Sequence, residues 1–331
     1  MKEFWTGKRV LITGAEGFIG SHLVENLQKK GAQIRALVLY NSFNSWGWLE
    51  QLENHSNIEV IAGDIRDAEA CIKLTQEIDI VFHLASLISV PYSISNPRGF
   101  IDNNITGTFN ICQAALASDA KLIYVSSSEV YGTAQYLPID ENHPLQAQSP
   151  YSASKISAEA IVYSFFRSYA LKATIARPFN TYGPRQSARA IIPAIIIQIA
   201  EGKKKIEIGN VSPRRDLNYV TDTCEGLTLI AENSNLFGQT LNIGSGIDHK
   251  IGDVFRLICK QMDARVELVS DLSRIRPADA EVLHLLCDNS KIKKHTGFSP
   301  QYNFNEGLAK TIKWLLEPAN IIKYKSGLYN V

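Results

Sequence analysis

Tyr151 and Lys155 stand four residues apart in Tyr-Ser-Ala-Ser-Lys, a spacing that puts both on one helix face a turn apart. A phenol titrates near ~10 and is largely protonated at neutral pH. An ammonium beside it stabilises the phenolate, and a shift of ~3 units corresponds to about 4 kcal/mol. Such a pair can take the proton of a hydroxyl group. Upstream, Ser126-Ser127-Ser128-Glu129-Val130-Tyr131-Gly132 follows an apolar run. Ser127 can hydrogen-bond the same hydroxyl and orient it. Glu129 can remove a proton α to a ketone, or it can cap the turn that follows.

A second constellation supplies an oxidant. Gly14, Gly17 and Gly20 form Gly-Ala-Glu-Gly-Phe-Ile-Gly directly after the apolar run Arg9–Thr13. The first two glycines permit a tight turn and close backbone approach to a pyrophosphate, and the third lets helix and strand pack closely. A dinucleotide bound there brings a nicotinamide whose positive charge further favours the phenolate. NAD-preferring folds place an acid at the end of the second strand. Here that position is Val38, followed by Leu39-Tyr40-Asn41-Ser42. Asn41 or Ser42 is the expected hydroxyl or phosphate partner, Arg35 lies too early in the strand to bind a 2′-phosphate, and NAD and NADP both remain open.

The elements that position these residues alternate. Arg9–Thr13, Ile34–Leu39, Ile58–Ala62, Ile80–Leu84, Lys121–Ser126 and Lys172–Arg177 read as strands. Ser21–Lys30, Phe100–Ala117 and Tyr151–Tyr169 read as helices between them. This rhythm implies parallel strands joined by right-handed crossovers, hence an α/β fold built on a doubly wound parallel Rossmann sheet. Turn signals then multiply, and Ile251–Met262, Asp288–Thr296 and Asn305–Leu316 read as helices of a smaller C-terminal α/β substrate lobe. Residues 1–180 are the expected dinucleotide-binding domain, with 219–243 returning to it. Residues 181–218 and 244–331 are the expected substrate-binding lobe. Ala319–Val331 lacks periodicity and reads as a docked or frayed tail.

With 331 residues the chain makes about two domains at roughly 150 residues each, large enough to need no disulfide or metal staple. Lys plus Arg (34) against Asp plus Glu (33) leaves a net charge of +1, which removes the case for nucleic acid as the main partner. The longest apolar run, Ala190–Ala200, is broken by Pro193 and Gln198 and falls short of the ~18 residues of a membrane span. The N-terminus enters a strand without a signal region. Cys71, Cys112, Cys224, Cys259 and Cys287 are scattered and never spaced CxxC, so they read as buried thiols of a cytoplasmic protein with no metal site.

The GxxGxxG spacing with YxxxK resembles the extended short-chain dehydrogenase/reductases that act on nucleotide sugars (the NAD-dependent epimerase/dehydratase family). The resemblance implies that Phe18 and Ile19 lie in the cofactor loop and that Asp64, in Gly-Asp-Ile65, contacts adenine; a plain turn aspartate is the other reading. His-Leu84-Ala85-Ser86 matches the family's loop on the nicotinamide side, and Asn104 belongs to the same cofactor set. Epimerases resemble SSSxxVYG without the acid, dTDP-glucose 4,6-dehydratases carry Thr-Asp-Glu, and GDP-mannose dehydratases carry Thr-Ser-Glu. Ser127-Ser128-Glu129 looks like the last, which UDP-glucuronate decarboxylases also resemble.

Arg177–Gln186 (RPFNTYGPRQ), Arg214–Asp222 (RRDLNYVTD) and Ile275–Asp279 (IRPAD) match the family's phosphate-facing segments. The resemblance therefore implies substrate contacts from Asn180, Arg215 and Arg276, with Arg185 and Arg189 as further candidates; guanidinium forks suit a diphosphate. Asp216, Tyr219 and Asp222 are expected to stabilise local turns.

From end to end, strings such as YNSFNSWGWLE and ARPFNTYGPRQSARAIIP look like the LegB-type 4,6-dehydratases of legionaminic acid biosynthesis. That likeness implies GDP-N-acetylglucosamine as substrate, tightly bound NAD with NADP not excluded, and a homodimer through a four-helix bundle of the two long helices. Ile111, Ala115, Ile161 and Phe165 fit such a bundle, and they fit a sheet-facing stripe equally well.

Overall fold

The computed structural model describes residues 2–271 and 281–324. Strands β1 (Arg9–Thr13), β2 (Gln33–Leu39), β3 (Ile58–Gly63), β4 (Ile80–His83), β5 (Lys121–Val125), β6 (Ala173–Pro178) and β10 (Thr240–Ile243) form one seven-stranded sheet in the order β10-β6-β5-β4-β1-β2-β3. Every pairing in it is parallel. The expected doubly wound sheet is therefore present. Its order reverses between β1 and β4, where such sheets open a ligand crevice beyond the strands' C-terminal ends.

The strands are apolar on both faces because helices cover both. Val10, Ile12, Ile34, Ala36 and Phe82 pack with Leu23, Leu27, Leu227 and Ile230 of the helices Phe18–Lys29 and Val220–Glu232. On the other face, Leu11, Val81, Leu122 and Tyr124 pack with Ile111, Ala115, Ala158 and Val162 of Gly107–Ala117 and Pro150–Tyr169. Each end of this layer is punctuated by local chemistry. Ser149 caps the Tyr151 helix by accepting the Ser152 N–H at 3.1 Å, and Pro150 fills the first turn, where no N–H partner is needed.

Some boundaries differ from the sequence reading. Phe100–Ala117 is interrupted: a π-helical segment, Ile101–Thr106, precedes Gly107–Ala117. Residues 220–232 return to the sheet as a covering helix, whereas Thr240–Ile243 returns as an edge strand. Ile111, Ala115 and Phe165 are core residues, because that stripe faces the sheet. The same helices leave Ile101, Phe109, Tyr163 and Tyr169 exposed.

Strands β7 (Asn180–Tyr182), β9 (Arg214–Tyr219), β11 (Asp248–Lys250) and β13 (His284–Leu285) form a small four-stranded sheet. β8 (Lys205–Ile208) pairs with β12 (Glu267–Ser270). Helices Ile191–Ala200, Ile251–Gln261 and Phe304–Leu316 close a separate core around Ile195, Ile206, Phe255 and Leu308. Asp216 accepts the N–H groups of Ser245, Gly246 and Cys287, and Asp222 those of Gln301 and Tyr302, the turn-stabilising parts foreseen for them. Among the described residues no helix is long and apolar enough to cross a membrane.

Candidate active site

The crevice at the β1/β4 switch is a cavity of about 680 Å³ that continues between the large sheet and the small one. Gly14, Gly17, Phe18, Ile19 and Gly20 line it at one end, with Asp64, Ile65, Leu84, Ala85 and Ser86 beside them. Ser127, Ser128, Glu129, Tyr151 and Lys155 form its middle, and Asn180, Arg189 and Arg215 line it further on.

The glycine loop fits a dinucleotide for reasons the backbone shows. Gly14 sits at φ +69°, and a Cβ there would lie 2.9 Å from the Ala85 backbone. A Cβ on Gly20 would meet the Gly14 carbonyl at 2.1 Å, so the helix could not approach the strand. Opposite, buried His83 pins the Leu84–Ser86 loop. The Thr13 hydroxyl donates to His83 Nδ1 (2.8 Å) and its oxygen accepts the Ala85 N–H (3.1 Å), while His83 Nε2 faces Thr108 at 3.1 Å. Burial lowers His83 to about 3, which keeps the ring neutral.

The catalytic candidates converge from two elements. Ser127 lies two residues past the end of β5 and caps the short helix Ser128–Tyr131, its Oγ accepting the Glu129 N–H at 3.2 Å. The Ser127 hydroxyl also stands close enough to the Tyr151 phenol to favour its ionised form. Since Ser127 does the capping, the Glu129 side chain is not spent on the turn; its half-buried carboxylate lines the cavity, and its charge is felt at Tyr151. Lys155 donates to the Val125 carbonyl at 2.9 Å, with its ammonium over the Tyr124 ring.

Electrostatics depart from the expectation of a ready phenolate. Burial, with Glu129's charge adding to it, pushes Tyr151 up to about 12, and burial lowers Lys155 to about 8. The ammonium is turned to Val125, so the protein alone does not ionise the phenol. Behind Lys155, Glu159 makes a buried bidentate pair with Arg177 (2.9 and 2.6 Å). Glu159→Gln should cost about 3–5 kcal/mol in denaturant melts, because it leaves Arg177 buried without its counter-charge.

Other candidates sit elsewhere. Asn41 is exposed and spends its side chain on its own loop: Oδ1 accepts the Phe43 and Ser45 N–H groups (both 3.2 Å), and Nδ2 donates to the Ser45 carbonyl. Neither it nor exposed Ser42 lines the cavity. Asn104 is buried behind the wall. Its Oδ1 accepts the Leu87 N–H (2.8 Å) and its Nδ2 donates to Ser154 Oγ (2.9 Å), which ties the Leu87 loop to the Tyr151 helix.

Arg185 pairs with Glu25 at 2.7 Å, off the cavity wall. Arg276 lies outside the described residues. Arg215 reaches Glu281 at 3.4 Å, and Asn180 Oδ1 is buried without a partner. The Asp64 carboxylate holds Arg66, which lowers its pKa.

The sequence reading missed wall residues with no motif of their own. Asn103, whose Oδ1 accepts the Leu87 N–H at 3.1 Å, is one, and Glu281 is another. Glu16 is also on the wall; an acid inside a glycine loop was the available signal.

The model of the GDP-mannose 4,6-dehydratase family matches residues 11–311. The chain belongs to that family. It is 31% identical to a dTDP-glucose 4,6-dehydratase of Escherichia coli, with 93% of each chain covered. A solved dTDP-glucose 4,6-dehydratase of Streptomyces venezuelae, with NAD and TYD bound, superposes with a TM-score of 0.86 at 27% identity, covering 95% of this chain and 98% of that one. A UDP-N-acetylglucosamine 4-epimerase of Methanobrevibacter ruminantium superposes with a TM-score of 0.84 at 32% identity, covering 94% and 99%.

Proposed function

We propose that this family member catalyses the 4,6-dehydration of a nucleotide-activated N-acetylglucosamine, GDP-N-acetylglucosamine, with NAD as a retained cofactor, and that its product feeds legionaminic acid biosynthesis. The observation that carries the dehydratase reading is Glu129: a carboxylate on the cavity wall, electrostatically coupled to Tyr151 and left out of the turn's capping. C4 epimerisation alone has no step for it. The NAD-bound relative and the glycine cradle support the cofactor. The string likeness to LegB-type enzymes supports the sugar and the base.

Gly14, Gly17 and Gly20 hold the pyrophosphate at the helix N-terminus, and the Leu84–Ser86 loop shapes the nicotinamide side. When bound, the nicotinamide takes hydride from C4, gives it back at C6, and adds the positive charge that Tyr151 lacks in the protein alone. Tyr151 Oη takes the C4 hydroxyl proton, with Ser127 Oγ orienting that hydroxyl. Lys155, which donates to the Val125 carbonyl in the protein alone, would hold a ribose hydroxyl of the bound cofactor and add its positive charge near Tyr151. The C4 ketone acidifies C5, and Glu129 removes the C5 proton. Ser128 stands where a second acid would be, so Glu129 also delivers a proton to the departing C6 oxygen, which leaves as water. A proton from water returns to C5 and Tyr151 releases to water the one it took from the C4 hydroxyl, so both side chains end as they began and the product is the 4-keto-6-deoxy sugar. Asn180, Arg189 and Arg215 serve the diphosphate and nucleotide. Two copies pack through Ile101, Phe109, Tyr163 and Tyr169, the exposed apolar residues of the long helices.

Incubation with GDP- and UDP-N-acetylglucosamine, UDP-galactose and UDP-glucuronate, followed by mass spectrometry, tests this. GDP-N-acetylglucosamine is expected to lose the mass of one water. A new sugar configuration at unchanged mass overturns the reading in favour of epimerisation, and loss of carbon dioxide from UDP-glucuronate in favour of decarboxylation.

A further inference from the structure

β2 ends without an acid, yet a carboxylate reaches that end from another element. Glu16, inside the glycine loop, folds across so that its Oε1 accepts the Leu39 N–H at 3.0 Å. Its own carbonyl accepts the Trp48 N–H at 3.1 Å. Gly47, at φ +54°, packs so closely that a Cβ would lie 2.9 Å from that carbonyl. The carboxylate is thus held between β2 and the segment after it, on the cavity wall shared by Leu39, Gly63 and Asp64. Its second oxygen, Oε2, is buried with no hydrogen-bond partner, a condition that proteins rarely leave unanswered.

The cations of the neighbouring strands are engaged elsewhere. Arg35 binds Glu59 at 2.7 Å and the carbonyls of Leu74 and Gln76. Arg66 is bound to Asp64. A ribose hydroxyl brings the donor that Oε2 lacks, whereas a 2′-phosphate brings negative charge and no donor.

We infer that Glu16 reads the adenosine ribose hydroxyls and sets the preference for NAD over NADP, replacing the acid that other Rossmann folds carry at the end of β2. This rests on the dinucleotide reading of the cavity. Dissociation constants for NAD and NADP, measured by calorimetry on protein freed of resident dinucleotide, test it in wild type, Glu16→Gln and Glu16→Ala. Glu16→Gln keeps an acceptor for the Leu39 N–H and so keeps the loop.

NAD should bind wild type more tightly than NADP. In both variants NAD should weaken by about 10–100-fold, the range for a hydrogen bond to a charged group. NADP should hold or tighten, so that the preference collapses. A merely structural Glu16 weakens both dinucleotides equally, and a preference unchanged in both variants overturns the inference. So does a wild type that prefers NADP. Wild-type protein that binds neither dinucleotide overturns the cofactor reading as well.

Discussion

Glu129→Gln is expected to bind nucleotide sugar as wild type does and to lose about 10²–10⁴-fold in water elimination, the range for removal of a positioned acid–base group. The amide keeps the volume and cannot take the C5 proton. The backbone geometry survives, because Ser127 Oγ holds the Glu129 N–H and not the carboxylate. In the proposed mechanism oxidation at C4 draws on Tyr151 and Ser127, which remain, so the first half-reaction should proceed and stall. The readout is reduced-nicotinamide absorbance that rises on substrate addition and does not decay, with no dehydrated product by mass. Full dehydration by Glu129→Gln removes the glutamate from the chemistry.

Lys155→Met should cut turnover by a comparable 10²–10⁴-fold while making the protein more stable by about 2 kcal/mol near neutral pH. Lys155 is 3% exposed and burial lowers it to about 8, so the folded state disfavours its charge. Between about pH 8 and the unfolded value near 10.5 the unfolded chain binds more protons, and wild-type stability rises with pH across that window. Below pH 8 the penalty is present in full. Methionine removes it, and the loss of the bond to Val125 offsets part of the gain. Thermal melts at neutral pH and above pH 10 check the sign: the variant's advantage should shrink as pH rises. A variant that is less stable at neutral pH shows that the ammonium is structural.

The same buried setting acts on the phenol. Tyr151 at about 12 is protonated in the protein alone. The YxxxK spacing makes this pair visible, since four residues are one helical turn whatever the surroundings. It says nothing of burial, and burial is what moves both titrations away from the expected phenolate.

Local chemistry determined much of this protein in advance. An apolar run followed by spaced glycines makes a strand–turn–helix, because Gly14 alone tolerates its φ and its contact with Ala85. The strand–helix rhythm implies the parallel sheet, because parallel strands need crossovers. The triplet Ser127-Ser128-Glu129 lies at the end of β5, and strand ends are where such sheets keep their ligands.

Tertiary structure decided which polar groups are free to act. Arg185 has the same guanidinium as Arg215, yet Glu25, far away in the chain, takes it off the wall, while Arg215 is placed on the wall by the pairing of β9 with β7. Asn41 was expected at the ribose and is used up by its own loop, whereas Glu16, unremarked in a turn, reaches the end of β2. A side chain's partner depends on distances between elements far apart in sequence, and no spacing within one element encodes those distances.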